Sequence, residues 1–207
     1  MADLGALANA LVQGDRGTVV KLTEEALKEG LAPAEVLHKG LIAGMEIVGN
    51  RFKANEIYVP EVLIAARAMK SGLEVLGPKL KAAGVQPIAT VVLGTIKGDL
   101  HDIGKNLVGM MLTGGGLKVV DLGVDTSPEK FVEACKANQA QLCAMSALLT
   151  TTMPNMGAVV QAIKAAGMAV KTMIGGAPVT QAYADDIGAD GYAPDAASAV
   201  DLAKSLL

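Results

Sequence analysis

Hydrophobic residues recur every three or four positions through the first part of the chain. Residues 2–11 and 18–28 form short amphipathic stretches, and over 34–52 the residues Val36, Leu37, Leu41, Met45, Ile47 and Val48 keep close to helical spacing. Pro60 begins a further run, in which Val62, Leu63, Ala66, Met69, Leu73 and Leu76 recur. Proline suits a first helical position and pushes the preceding residue, Val59, into an extended conformation. The pattern predicts four antiparallel helices over residues 1–84. It changes at Ala82-Ala83-Gly84-Val85-Gln86-Pro87, a linker that opens a second domain over 85–207.

Beyond the linker, compact apolar runs alternate with helical ones. Strands are expected over 88–93, 118–122, 142–146 and 170–174, with a short piece at Gly191-Tyr192. Helices are expected to start near Ile103, Pro128, Pro154, Val179 and Asp195. Five such βα units with near-continuous apolar strands argue an α/β domain whose parallel sheet is covered on both faces. In such sheets ligands sit outside the carboxyl ends of the strands, at the switch point. Residues just after strands one, three and four are therefore the first candidates for a site.

Composition narrows the choice. The 207 residues are 51% hydrophobic and 19% charged, enough to bury a sizeable core and too apolar for a disordered chain. Eighteen Lys and Arg against 21 Asp and Glu give a formal charge of −3 without long like-charge runs, so neither a nucleic-acid partner nor a membrane surface is expected. The apolar segments are short, and no basic region with an apolar cleavable run stands at the N-terminus; a cytoplasmic location is expected. Cys135 and Cys143 form no Cys-x-x-Cys pair and read as reduced core residues. Aromatics make up only 2%, so the core is expected to be aliphatic and filled with methionine.

One segment at the ligand edge carries chemistry. Gly98-Asp99-Leu100-His101-Asp102-Ile103-Gly104 follows the first strand and enters a helix. An imidazole there could coordinate a metal through one ring nitrogen while Asp99, two residues away, accepts a hydrogen bond from the other. On this triplet alone, His101 reads equally well as a loop residue, with Asp99 or Asp102 capping the helix. Elsewhere, His38 has Glu35 one turn back but no further ligand at metal spacing, Gly114-Gly115-Gly116 follows a helix rather than opening one, and no Ser/His/Asp triad is arguable.

The spacing downstream extends the pattern. From Gly104 there are 41 intervening residues to Ser146-Ala147-Leu148, and from Leu148 another 26 to Gly175-Gly176. Asp-x-His-x-x-Gly, Ser-x-Leu and Gly-Gly at these separations resemble the fingerprint of the cobalamin-binding domain family. In the helical half, Gly49-Asn50-Arg51-Phe52, then Ile57-Tyr58-Val59-Pro60-Glu61-Val62 and Ala68-Met69, resemble the cap domain that precedes the cobalamin domain in methionine synthase and corrinoid methyl carriers. The whole is most similar to the small corrinoid protein of three-component methyltransferase systems.

This resemblance implies a four-helix cap followed by a five-stranded parallel, flavodoxin-like (Rossmann-like) cobalamin domain. It implies a cobalamin or related corrinoid cofactor, with His101 as the lower axial ligand of cobalt and Asp99 bonded to its far nitrogen. Gly104 and Leu148 belong to the same fingerprint. Ser146 and Thr150 would line the slot for the displaced nucleotide tail, Thr152 would lie near it, Gly175 and Gly176 would let the backbone approach it, and Tyr192 and Ala193 would close its far end. Phe52 and Val59, the latter in place of the commoner Leu, would cover the upper face of the cobalt. The implied role is a methyl carrier, not expected to catalyse alone. Its implied partners are a methyl-donor corrinoid methyltransferase, an acceptor methyltransferase using tetrahydrofolate or a thiol, and a reductive activating protein. Two rival roles are the cobalamin subunit of a mutase, against which the cap speaks, and a cobalamin-sensing regulator, which would need a basic recognition helix.

Overall fold

Aspartates open the first two helices. The Asp3 carboxylate accepts from the Ala6 N–H at 3.0 Å and starts α1 (Leu4–Val12). Asp15 accepts from the Thr18 N–H at 3.0 Å and starts α2 (Arg16–Lys28). The third helical segment has three parts: a short α3 (Pro33–Glu35), a π-helical stretch (Val36–Ile42) and α4 (Ala43–Lys53). Gly40 and Gly44 bring it close to α1, where a Cβ at Gly44 would stand 3.0 Å from the Ala8 carbonyl oxygen. The sequence pattern predicts one uninterrupted helix here. The wider π turns fall on residues with no proline or insertion to announce them.

The fourth segment, α5, spans Val59–Ala82 and begins one residue earlier than the sequence suggests. Tyr58, not Val59, is the extended residue, with φ −120° and ψ −178°. Its N–H donates to the Glu61 carboxylate at 3.1 Å, which fixes the start of the helix ahead of Pro60. Leu7, Leu11, Val19, Leu41, Val48 and Leu76 are fully buried in this helical unit.

The computed structural model describes residues 3–207, arranged as two units: one of residues up to 87 with 114–116, the other of residues 88–113 and 117–207. The second unit alternates strand and helix without exception: β1 (Thr90–Thr95), α6 (Ile103–Gly114), β2 (Lys118–Asp121), α7 (Pro128–Ala137), β3 (Leu142–Ser146), α8 (Pro154–Ala165), β4 (Lys171–Gly175), α9 (Gln181–Ile187), β5 (Gly191–Tyr192) and α10 (Ala196–Ser205). All pairings are parallel and the strand order is β2-β1-β3-β4-β5, the flavodoxin-like arrangement, which turns direction between β1 and β3. β1 lies two residues downstream of its expected position. Ile88 is 48% exposed and precedes the strand, while Gly94 and Thr95 carry the strand on to the ligand edge.

The core of this unit is aliphatic and sulfur-rich, as composition predicts. Val92, Met145, Met156, Val159, Val160, Ile163 and Ile174 share one buried cluster with Phe131, and Cys135 and Cys143 are free and buried in it. Among the described residues no helix is long and apolar enough to cross a membrane.

At the edge of the sheet the Asp190 carboxylate accepts from Lys171 Nζ at 2.8 Å, the Thr172 N–H at 2.8 Å and the Thr172 hydroxyl at 2.9 Å. Burial pushes its carboxyl up, but the Lys171 and Thr172 hydrogen bonds outweigh that and hold it below the ordinary value. The unfolded chain then takes up a proton before the native one does, so the stabilisation is complete above the ordinary carboxylate range and fades as pH falls through it. Asp190→Ala is expected to lose about 1–3 kcal/mol at neutral pH. The difference in urea midpoint from the parent should shrink as pH is lowered, and a difference that does not change with pH would remove the carboxylate from the account.

Candidate functional site

Strand register gathers the three sequence elements. Thr95 pairs with Ser146 across β1 and β3, and Ser146 with Gly175 across β3 and β4, so three loops leave the sheet side by side. Residues 96–102 follow β1, residues 147–153 follow β3, and Gly176 opens the loop after β4.

Asp99 is the centre of this edge. Its side chain has no exposed surface, and all its partners come from these loops. Oδ2 accepts from the Leu148 N–H at 2.8 Å, the Leu149 N–H at 3.2 Å and the Thr152 hydroxyl at 2.9 Å. Oδ1 accepts from the His101 N–H at 3.1 Å and lies 2.7 Å from His101 Nδ1. Burial pushes the Asp99 carboxyl up. The Leu148 N–H, the His101 ring and N–H and the Thr152 hydroxyl more than reverse this and hold it far below the usual carboxylate range. An ionised Asp99 accepts only, so Nδ1 is the donor of this pair, and the neutral form of the ring then carries its lone pair on Nε2. The imidazole is 51% exposed, and Thr95 Oγ1 donates to the His101 carbonyl oxygen at 2.9 Å.

Several large apolar side chains of the loops that carry His101 and the Asp99 donors are exposed. Leu100 is 72% exposed and Ile103 81%, and the side chains of Leu148 and Leu149, whose N–H groups bond Asp99, are exposed as well. Gly104 is exposed, and a Cβ there would meet no protein atom within 4 Å, so bare backbone faces open space at the start of α6. One available imidazole, a rim of uncovered aliphatic side chains and bare glycine backbone fit a metal whose other positions are filled by a large, flat, largely apolar macrocycle.

The glycines after β4 have a reason within the fold as well. A Cβ on Gly176, whose φ is +133°, would run into the Ala147 carbonyl oxygen, and one on Gly175 would stand 3.0 Å from the Ala193 carbonyl oxygen. Ser146 and Tyr192 are half-buried, Ala193 is buried and Thr150 is exposed at this edge. Thr152 sits behind Asp99 as one of its donors. Phe52, half-buried in the last turn of α4, and Val59, first residue of α5, belong to the helical unit.

Sequence reasoning missed several residues that hold the ligand loop. Thr95, Leu149, Asn155, whose amide donates to the Lys97 carbonyl oxygen at 2.9 Å, and Asp125 are all hydrogen-bonded to it or to Asp99. The one signal available was the side-chain type at Asp125 and Asn155, since such residues favour loop hydrogen bonds.

Comparison with known proteins bears on the same edge. A B12 binding domain model matches residues 89–201, and a second B12 binding domain model matches residues 4–76. The chain belongs to the B12-binding corrinoid proteins. Trimethylamine corrinoid protein 2 of Methanosarcina mazei is 46% identical over 203 residues, covering 96% of this chain and 93% of that one. A corrinoid protein of Desulfitobacterium hafniense is 40% identical, covering 100% and 98%. Among solved structures, the methanol:cobalamin methyltransferase complex of Methanosarcina barkeri matches with a TM-score of 0.85 at 30% identity, over 97% of this chain and 77% of that one. A cobalamin-binding protein of Desulfitobacterium hafniense matches with a TM-score of 0.84 at 29% identity over the whole of both chains. The cofactor of this corrinoid protein is a cobalamin-type corrinoid, and one of its solved relatives is part of a methyltransferase complex.

Proposed function

We propose that the chain is a methyl carrier that holds its corrinoid through His101 and serves a methyl-donor methyltransferase and an acceptor methyltransferase in turn. The cobalt of a bound corrinoid supplies a centre that takes up and gives away a methyl group. The residues of this chain hold and orient it. His101 Nε2 offers the lower ligand, Asp99 fixes the ring and its tautomer, and Thr152 and the Leu148 and Leu149 N–H groups hold Asp99. Leu100, Ile103, Leu148 and Leu149 give the corrin an apolar seat, while Ser146, Thr150, Gly175, Gly176, Tyr192 and Ala193 border the slot for the nucleotide tail.

The observation that carries this reading is the exposed imidazole of His101, held at 2.7 Å by a carboxylate with no exposed surface. Relatives named trimethylamine and dimethylamine corrinoid proteins, 46% and 42% identical, favour a methylated amine as the methyl source. An acceptor methyltransferase acting on tetrahydrofolate or a thiol and a reductive activating protein complete the proposed cycle.

The test is a visible absorption spectrum of the chain mixed with hydroxocobalamin and desalted. The parent is expected to retain a corrinoid with the bands of an imidazole-ligated cobalt. His101→Ala should lose those bands and weaken retention by about 10–100-fold. Identical spectra would remove His101 as the ligand. For the carrier role, protein loaded with methylcobalamin is expected to surrender its methyl group only when an acceptor methyltransferase is added, and equal release without it would end that reading.

A further inference from the structure

The loop that carries His101 is held from a second loop that the proposed function leaves out. Residues 122–127, between β2 and α7, run beside residues 95–99. The Thr95 N–H donates to the Gly123 carbonyl oxygen at 2.9 Å, the Thr126 N–H to the Thr95 carbonyl oxygen at 3.0 Å, and Ile96 and Thr126 form a parallel bridge. Beyond that bridge, Asp125 makes two bonds in opposite senses. Its carboxylate accepts from the Gly98 N–H at 2.8 Å, and its own N–H donates to the Asp99 carbonyl oxygen at 3.0 Å. A closed ring of two hydrogen bonds thus brackets the peptide that joins Gly98 to Asp99.

The N–H of that peptide, which belongs to Asp99, donates within the loop to the Ile96 carbonyl oxygen at 3.2 Å, and Asp125 adds a restraint from outside the loop. Gly98 has φ +82°, and a Cβ there would meet only a methyl group of Thr152 at 3.5 Å, so the residue is glycine for its backbone angle and not for space. Gly98 is thus the left-handed corner of the turn that sets the direction of Asp99. Asp125 adopts φ +49°, a left-handed conformation that aspartate tolerates better than most residues and that presents its N–H and carboxylate to the same peptide. Asp125 itself is exposed, and the bond it accepts from Gly98 lies at the surface, so its removal costs the fold little.

We propose that Asp125 is a positioning residue for the cobalt ligand: by clamping the Gly98–Asp99 peptide from the neighbouring loop, it holds Asp99 and His101 in the one arrangement that presents Nε2 to the corrinoid. The proposal deepens the reading of His101 as the lower ligand and rests on it. Asp125 acts on Asp99 and His101 through the backbone, where Leu148, Leu149 and Thr152 act through the Asp99 carboxylate.

Three variants separate the contributions. Asp125→Asn keeps an oxygen acceptor for the Gly98 N–H and tolerates the left-handed backbone. Asp125→Gly keeps the backbone and loses the acceptor, and Asp125→Ala loses the acceptor and strains the backbone. In the corrinoid-free protein, the imidazole nitrogen resonances of His101, told apart from those of His38 with His38→Gln, are expected to shift in Asp125→Ala and Asp125→Gly and to stay at the parent position in Asp125→Asn. In protein loaded with hydroxocobalamin, Asp125→Ala is expected to release corrinoid about tenfold faster and to lose most of the imidazole-ligated band, with Asp125→Asn restoring both. His101 resonances and bands unchanged in all three variants overturn the proposal. So does a loss that follows the melting temperature across the three variants, which is the mark of a structural role alone. Failure of the parent itself to retain corrinoid overturns the ligand reading, and the imidazole resonances of the free protein then still decide whether Asp125 positions His101.

Discussion

Phe131→Ala is expected to lower the stability of the α/β unit by about 3–5 kcal/mol, the usual cost of emptying a buried aromatic site. Phe131 is fully buried in α7 and is the largest side chain so enclosed. Its ring lies over Gly94 of β1, where an added Cβ would stand 2.8 Å from the ring and 3.4 Å from Leu122. The space left by the ring is bounded by a strand backbone, which cannot slide inward without disturbing the pairing of β1 with β2 and β3. Relaxation is therefore limited and the cavity term stays large. Urea unfolding followed by circular dichroism measures the effect. A shift equivalent to less than about 1 kcal/mol would mean that the methionines nearby refill the space.

Asp99→Ala is expected to damage both stability and cofactor binding. The carboxylate accepts from the Leu148, Leu149 and His101 N–H groups and the Thr152 hydroxyl; its removal leaves the three N–H groups half-buried without an acceptor, while the Thr152 hydroxyl can turn to the Leu149 carbonyl oxygen at 2.9 Å. At about 1–3 kcal/mol for each donor left unpaired, and with water entering to serve some of them, a net loss of about 2–5 kcal/mol follows. The His101 ring is released at the same time, and corrinoid affinity should fall by about 10–100-fold. Asp99→Asn tests the charge separately. Its NH2 group must face either the Leu148 and Thr152 donors or the His101 donors, so one set is opposed by another donor. An Asn variant as stable as the parent would show that one oxygen suffices.

Much of this edge was legible in the chain, for identifiable reasons. Leu142–Ser146 is bounded by polar residues on one side and by the turn after Ser146 on the other, so its strand could be read to the residue. The apolar pattern places β1 too early because Ile88 and Ala89 are apolar while Gly94 and Thr95 interrupt the apolar run, although the strand continues through them. That displacement hid Thr95, whose hydroxyl holds the His101 carbonyl. The pairing of Asp99 with His101 is local, two residues apart, and could be foreseen. The three donors to the other carboxylate oxygen lie 49 to 53 residues away and depend on strand register. Asp125 stands 27 residues from Gly98, and no periodicity in the chain marks a bond between two loops. The π turns over Val36–Ile42 were illegible because the same apolar residues serve an α-helical stripe equally well.

The brevity of β5 has its own consequence. An outer strand normally presents a row of free N–H and C=O groups on which another chain's strand can grow. Here the strand is two residues long, Gly191 and Tyr192; the Ala193 N–H makes one more bond to β4, at 3.1 Å from the Ile174 carbonyl oxygen, and α10 begins at Ala196. The opposite margin, β2, is four residues long and carries Lys118 and Asp121 at its two ends, both exposed. Outer strands this short, one of them ending in charged side chains, offer little length for a strand of a neighbouring copy to pair with.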